Sequence, residues 1–169
     1  MGPMFFMRPS SIPRNDRDAG VPNGCRSTVL VVDDEPVLVE ELSEFLIAEG
    51  YEVHAAKDGS SALDVFRSHP PGTFTVILTD LRMPGLTGFS LARTILDSTP
   101  DRLAVEIIVI TGHGSPSTES EAPRGIFSVV RKPIRLARLQ QLIGQACDAA
   151  FARRLAASGR PDPDTSDGA

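Results

Sequence analysis

Thr28-Val29-Leu30-Val31-Val32-Asp33-Asp34-Glu35-Pro36 is an apolar, β-branched run that stops abruptly at three carboxylates. Three further runs end in the same way: Val76-Ile77-Leu78-Thr79 at Asp80, Ile107-Ile108-Val109-Ile110 at Thr111, and Val129-Val130-Arg131 at Lys132. Short runs of this composition fit strands buried on both faces, as in a parallel sheet. The carboxyl ends of the strands in an open parallel sheet share one crevice. Carboxylates, a hydroxyl and an amine from distant parts of the chain are therefore expected to meet. That set suits a divalent cation and a phosphoryl group.

Outward from these runs, strand and helix patterns alternate, which favours βαβ units. The spacing predicts strands over 28–32, 51–55, 74–79, 105–110 and 126–130. Pro36 suits the first position of a helix carrying Leu38, Leu42, Phe45 and Leu46, and Gly50 suits its end. Asp58-Gly59 turns into a helix with Ala62, Leu63 and Phe66, which Pro70-Pro71-Gly72 terminates. After the Met83-Pro84-Gly85 loop, a helix over 87–97 carries Phe89, Leu91, Ala92, Ile95 and Leu96. The last helix, from about 136 to 156, turns Leu139, Leu142, Ile143 and Ala146 inward. Residues 112–125 break the rhythm. Their prolines, glycines and scarcity of apolar side chains predict a degenerate crossover, one short helical turn or a mobile loop. Residues 1–27 are expected to be a flexible leader, 28–157 the domain, and 158–169 a disordered tail. On this reading no output domain is attached.

The 169 residues suit one domain with a real core. A net charge of −5 argues against a nucleic-acid partner. No apolar run is long enough for a bilayer, and the cysteines, Cys25 and Cys147, lack metal-ligand spacing. A cytoplasmic protein with no membrane partner is expected. His54 and His69 read as surface residues, and Arg131, Arg135 and Arg138 as a small basic patch.

The strings Val-Leu-Val-Val-Asp-Asp-Glu-Pro, Thr-Asp-Leu-Arg-Met-Pro-Gly, Ile-Thr-Gly-His-Gly and Arg-Lys-Pro occur in this order over about residues 28–150. Together they resemble the receiver domain of bacterial two-component response regulators. The resemblance implies a flavodoxin-like (βα)5 doubly wound parallel sheet of order 2-1-3-4-5, with phosphorylation of Asp80. It also implies that Arg82 contributes its backbone carbonyl to a metal ion, that Arg82 and His113 modulate phosphoryl loss, and that Lys132-Pro133 is cis. A histidine kinase or histidine phosphotransfer protein would be the donor, and a downstream protein the target.

The chemistry has its own logic. Two like charges about 4 Å apart repel by roughly 4 kcal/mol at an effective dielectric near 20. Asp33, Asp34 and Asp80 therefore need a cation among them. Mg2+, or Mn2+ in its place, takes oxygen ligands and bridges to phosphate. We assign Asp34 as a direct ligand, Asp33 as one acting mostly through water, and Asp80 as ligand and nucleophile. Lys132 offers a compact charge to phosphoryl oxygens, Thr111 a rotating hydroxyl, and Gly112 room.

One departure stands out. Receivers switch through the threonine ending strand four and an aromatic three residues before the lysine. Here those positions are Thr111 and Val129, with Phe127 the nearest aromatic. Ordering of the 112–125 segment is the expected substitute. The rival functions are a Mg2+-dependent phosphatase with an aspartate nucleophile, a flavin-binding electron carrier and a docking module that is never phosphorylated. The phosphatase would need an acid where Arg82 stands, and the flavin carrier a Ser/Thr/Gly-rich loop where Asp-Asp-Glu-Pro stands. No true enzymatic turnover is expected.

Overall fold

A computed structural model describes residues 27–99, 104–112 and 122–158. Its elements run β1 (Thr28–Val32), α1 (Pro36–Ala48), β2 (Glu52–Ala56), α2 (Gly59–Ser68), β3 (Phe74–Asp80), α3 (Gly88–Ser98), β4 (Glu106–Thr111), β5 (Ser128–Arg131) and α4 (Leu136–Ser158). The strands form one parallel sheet in the order 2-1-3-4-5, as the family resemblance implied. β1 has the expected bounds, and the other strands shift by one or two residues, most in β5.

Alternation along the strands builds two cores. Val29, Val31, Val76, Leu78, Ile108 and Ile110 pack with Leu42 and Leu46 of α1 and with Leu139 and Ile143 of α4. Leu30, Val32, Ile77, Ile107 and Val109 pack with Ala62 of α2 and with Leu91, Ala92 and Ile95 of α3. Both faces are apolar because helices cover both, which is why β1, β3 and β4 read as continuous apolar runs.

Local signals explain where the helices start and stop. Pro36 opens α1, where a missing N–H costs nothing. Asp58 caps α2 by accepting the Ser61 N–H at 2.7 Å. Gly50 and Gly85 hold φ of 94° and 78°, which side chains rarely adopt. Among the described residues no helix is long and apolar enough to cross a membrane.

The structure adds detail to several expectations. His54 and His69 are half-buried: their rings meet at 4.6 Å, and each packs edge-on against Phe74 at 5.3 and 5.2 Å. Edge strand β2 is covered by the end of α2, a tertiary contact that local polarity conceals. Ser27, expected in the leader, accepts the Glu52 N–H through its carbonyl at 3.2 Å, and α4 holds Ser158, expected in the tail. Within the 112–125 segment, the described residues 122–125 form a turn and no helix. The remainder of that segment, 113–121, and the terminal stretches 1–26 and 159–169 lie outside the described residues.

Candidate functional site

Strand parity selects which side chains meet at the carboxyl end of the sheet. Asp33 continues the row of Val29 and Val31, Asp80 that of Val76 and Leu78, and Lys132 follows Val130, all on the α1/α4 side. The structure brings these three together. Lys132 Nζ lies 3.0 Å from Asp33 Oδ2 and 2.8 Å from Asp80 Oδ1, with the exposed Glu35 carboxylate at 3.8 Å. Both aspartates are buried, Asp33 at 2% and Asp80 at 6% exposure.

The remaining carboxylate oxygens are held by backbone. Asp33 Oδ1 accepts the Glu35 N–H at 2.9 Å, and Asp80 Oδ2 accepts the Arg82 N–H at 2.5 Å. Each aspartate thus has one oxygen fixed by the turn that follows its strand and one turned to the shared ammonium. Burial works against the charge on Lys132, but its bonds to Asp80 and Asp33 outweigh this and hold its pKa above the ordinary value.

The other expected site residues are placed as follows. Thr111 is buried at the end of β4, and its carbonyl accepts the Lys132 N–H at 2.8 Å. Gly112 is exposed, and a Cβ there would sit 4.0 Å from Lys132 Cδ, in ordinary contact. The Arg82 side chain is exposed, and the Lys132-Pro133 bond is cis. Val129 is half-buried against the α2/α3-side core, whereas Phe127 packs against the α1/α4-side core. Phe127 therefore cannot stand in for an aromatic at 129. His113 lies outside the described residues.

Asp34 is exposed and is not drawn into the pair. Among the described residues no three acidic, histidine or cysteine groups are close enough together to hold a metal ion. The donors fit Mg2+ in kind: only oxygens are offered, and two buried carboxylates already turn toward one positive charge. With Lys132 seated between them, that charge is the lysine's own.

One contact and one residue that shape the site escaped the sequence reading. Glu35 is one of the carboxylates read after β1, yet nothing local signals that it comes within 3.8 Å of Lys132. At Gly88, a Cβ would come 2.2 Å from the Asp80 carbonyl oxygen, so only glycine lets α3 start against the end of β3. A glycine beside a loop carries no such signal in sequence. A similar approach occurs at Gly59, where a Cβ would meet the Leu86 carbonyl oxygen at 2.7 Å. The turn after Asp80 is thus closed in by the starts of α2 and α3.

Residues 29–144 match the response regulator receiver domain family. The chain is 32% identical over 121 residues to the transcriptional regulatory protein GlrR of Escherichia coli, covering 71% of this chain and 26% of that protein. It thus spans about a quarter of that relative's length. A receiver domain protein from Clostridium thermocellum superposes with a TM-score of 0.65 at 28% identity, over 75% of this chain and 98% of that one. The response regulator TrrA from Thermotoga maritima, solved in complex with Mg2+ and BeF, gives 0.62 at 30% identity, over 71% and 98%. Sequence and architecture agree over the same stretch, and this chain belongs to the response regulator receiver domain family.

Proposed function

We propose that this domain is the phosphoacceptor of a two-component or phosphorelay pathway, taking a phosphoryl group onto Asp80 and switching protein–protein contacts as a result. One observation carries the reading. The Asp80 carboxylate is nearly buried, with one oxygen held by the Arg82 N–H and the other facing an ammonium.

The chemistry assigned to these residues is a displacement at phosphorus. A carboxylate oxygen of Asp80 forms the new O–P bond. The P–N bond of a phosphohistidine on a kinase or phosphotransfer protein breaks, and its imidazole leaves with the electron pair. The side chains of Asp33, Asp34 and Asp80, with the Arg82 carbonyl, would hold Mg2+ or Mn2+, which neutralises the crowded oxygens when bound. Lys132 pairs with phosphoryl oxygens, the Thr111 hydroxyl donates to one, and Gly112 leaves them room. Arg82 and His113 set how readily water reaches the phosphoryl group. Thr111 and Val129 occupy the switch positions, with valine in place of an aromatic.

The product is stored, so slow loss and no sustained turnover follow, in contrast to a phosphatase. A cytoplasmic location, a downstream protein target, and no nucleic-acid or membrane partner complete the reading. The net charge of −5 supports it. The test is incubation with acetyl phosphate and Mg2+ followed by intact mass. One added phosphoryl group, absent in Asp80→Asn, is expected. The same gain in Asp80→Asn, or sustained release of phosphate over many turnovers, would overturn it.

A further inference from the structure

Glu106 is the anomaly of this fold. It opens β4 ahead of Ile107 and Ile108, has no exposed surface, and takes no part in the site above. Neither of its carboxylate oxygens has a hydrogen-bond partner among the described residues. Its counter-charge is Arg153 in the last turns of α4, with Nη1 3.2 Å from Oε1. The next residue, Arg154, donates from Nη2 to the carbonyls of Phe74 at 3.0 Å and Ala104 at 3.1 Å. Two consecutive arginines thus tie the end of α4 to the amino-terminal edge of the sheet.

An apolar residue at 106 would match its neighbours in the strand and avoid burying a carboxylate, so the pair adds little to stability. What it does is fix position. At the opposite edge β4 is bonded to the chain that leads into α4: the N–H of Lys132, which follows β5 and precedes α4, donates to the carbonyl of Thr111, the last residue of β4. β4 and the segment running from Lys132 into α4 are therefore tied at both ends, in the phosphoacceptor pocket and at the edge held by Arg153 and Arg154.

We infer that the Glu106–Arg153 pair is a clasp through which phosphoryl loading at the pocket controls the docking of the last two turns of α4. This rests on the phosphoacceptor reading of Asp80. Loading draws Lys132 away from Asp33 and Asp80 toward the new oxygens. Thr111 is drawn to the same group from β4, so the two elements shift against each other. At the far junction, neither oxygen of the buried Glu106 carboxylate has a hydrogen-bond partner among the described residues to cushion the shift. Once it parts, water enters and the attraction falls steeply. The clasp is thus a two-state element that the pocket can bias.

Hydrogen–deuterium exchange on the whole chain in Mg2+, with and without beryllofluoride, tests this in wild type, Glu106→Gln and Arg153→Met. Unloaded, both variants should exchange residues 150–158 at least about tenfold faster than wild type, with 139–146 unchanged. Loading should change wild-type exchange at 150–158 by at least about threefold and leave both variants without further response. Variants that exchange like wild type would overturn the clasp. Wild-type 150–158 that ignores loading, while 80–82 and 132–136 respond, would overturn the coupling. So would variants that respond as wild type does. If beryllofluoride changes nothing even at 80–82, the phosphoacceptor reading and the coupling fall together. The unloaded comparison then still decides whether the clasp holds the helix. Arg153→Met alters only a half-exposed side chain, so it keeps the test open if Glu106→Gln fails to fold.

Discussion

Asp33 and Asp80, from different strands, accept the same ammonium, and neither has another cation within bonding distance among the described residues. Lys132 is therefore a structural counter-ion, besides the phosphoryl-binding role proposed for it. Replacing it leaves two buried carboxylates facing each other. Lys132→Met should cost about 1–3 kcal/mol in urea unfolding without metal. Added Mg2+ should recover more stability in the variant than it adds to wild type. A variant as stable as wild type in EDTA would show that the two carboxylates do not need the lysine.

The two aspartates after β1 should separate cleanly on mutation. Asp33 is buried and bonded to the Glu35 N–H and to Lys132, so Asp33→Asn should lose about 1–2 kcal/mol of stability. Asp34 is exposed, so Asp34→Asn should stay within about 0.5 kcal/mol. Its Mg2+ affinity should nonetheless fall by about tenfold or more. Calorimetric titration with Mg2+ alongside urea melts reads both quantities. Unchanged Mg2+ affinity in Asp34→Asn would remove it from the ligand set.

Gly88 and Gly112 flank the same pocket but should respond in opposite ways. Gly88→Ala puts a methyl group on the Asp80 carbonyl, and a loss of about 1–3 kcal/mol or more is expected. Gly112→Ala meets only the Lys132 stem at 4.0 Å and should fold like wild type. Equal urea midpoints for the two variants would contradict the close approach of α3 to β3.

Burial, and then the neighbouring His69, lower the pKa of His54 from its ordinary 6.5, while Glu52 opposes them in part. The folded value therefore lies below the unfolded one. The stability this group provides is intact above pH 6.5 and drains away as pH falls through the folded value. The slope is at most about 1.4 kcal/mol per pH unit. His54→Phe, which can pack on Phe74, should flatten the decline between pH 7 and 5. Imidazole proton shifts that place the His54 midpoint above 6.5 would reverse the sign.

Much of the pocket is legible because it sits at strand ends. A β-branched run stopping at Asp80 or Thr111 reveals both the strand and the residue at its edge, and parity then gives the face. The helix-start residues Pro36 and Asp58 are legible for a similar reason, since they act within one turn of themselves. What escapes is contact between distant segments. Nothing near Gly88 announces that it must pass against Asp80, and nothing near His54 tells of Phe74. Glu106 looks like an interruption in an apolar strand until Arg153 is brought to it from 47 positions away. The seat of Lys132 between two carboxylates is likewise a property of three strands together, although each residue was expected at the site.

The starts of two helices press on the turn after Asp80, Gly59 against Leu86 and Gly88 against Asp80 itself. For anyone building reporters into this scaffold, that makes the surface loops unequal. A fluorophore-bearing insert between Pro70 and Thr73 extends a bend that already faces solvent. The same insert between Leu81 and Thr87 would wedge the helices apart and unseat Asp80, the residue it was meant to monitor.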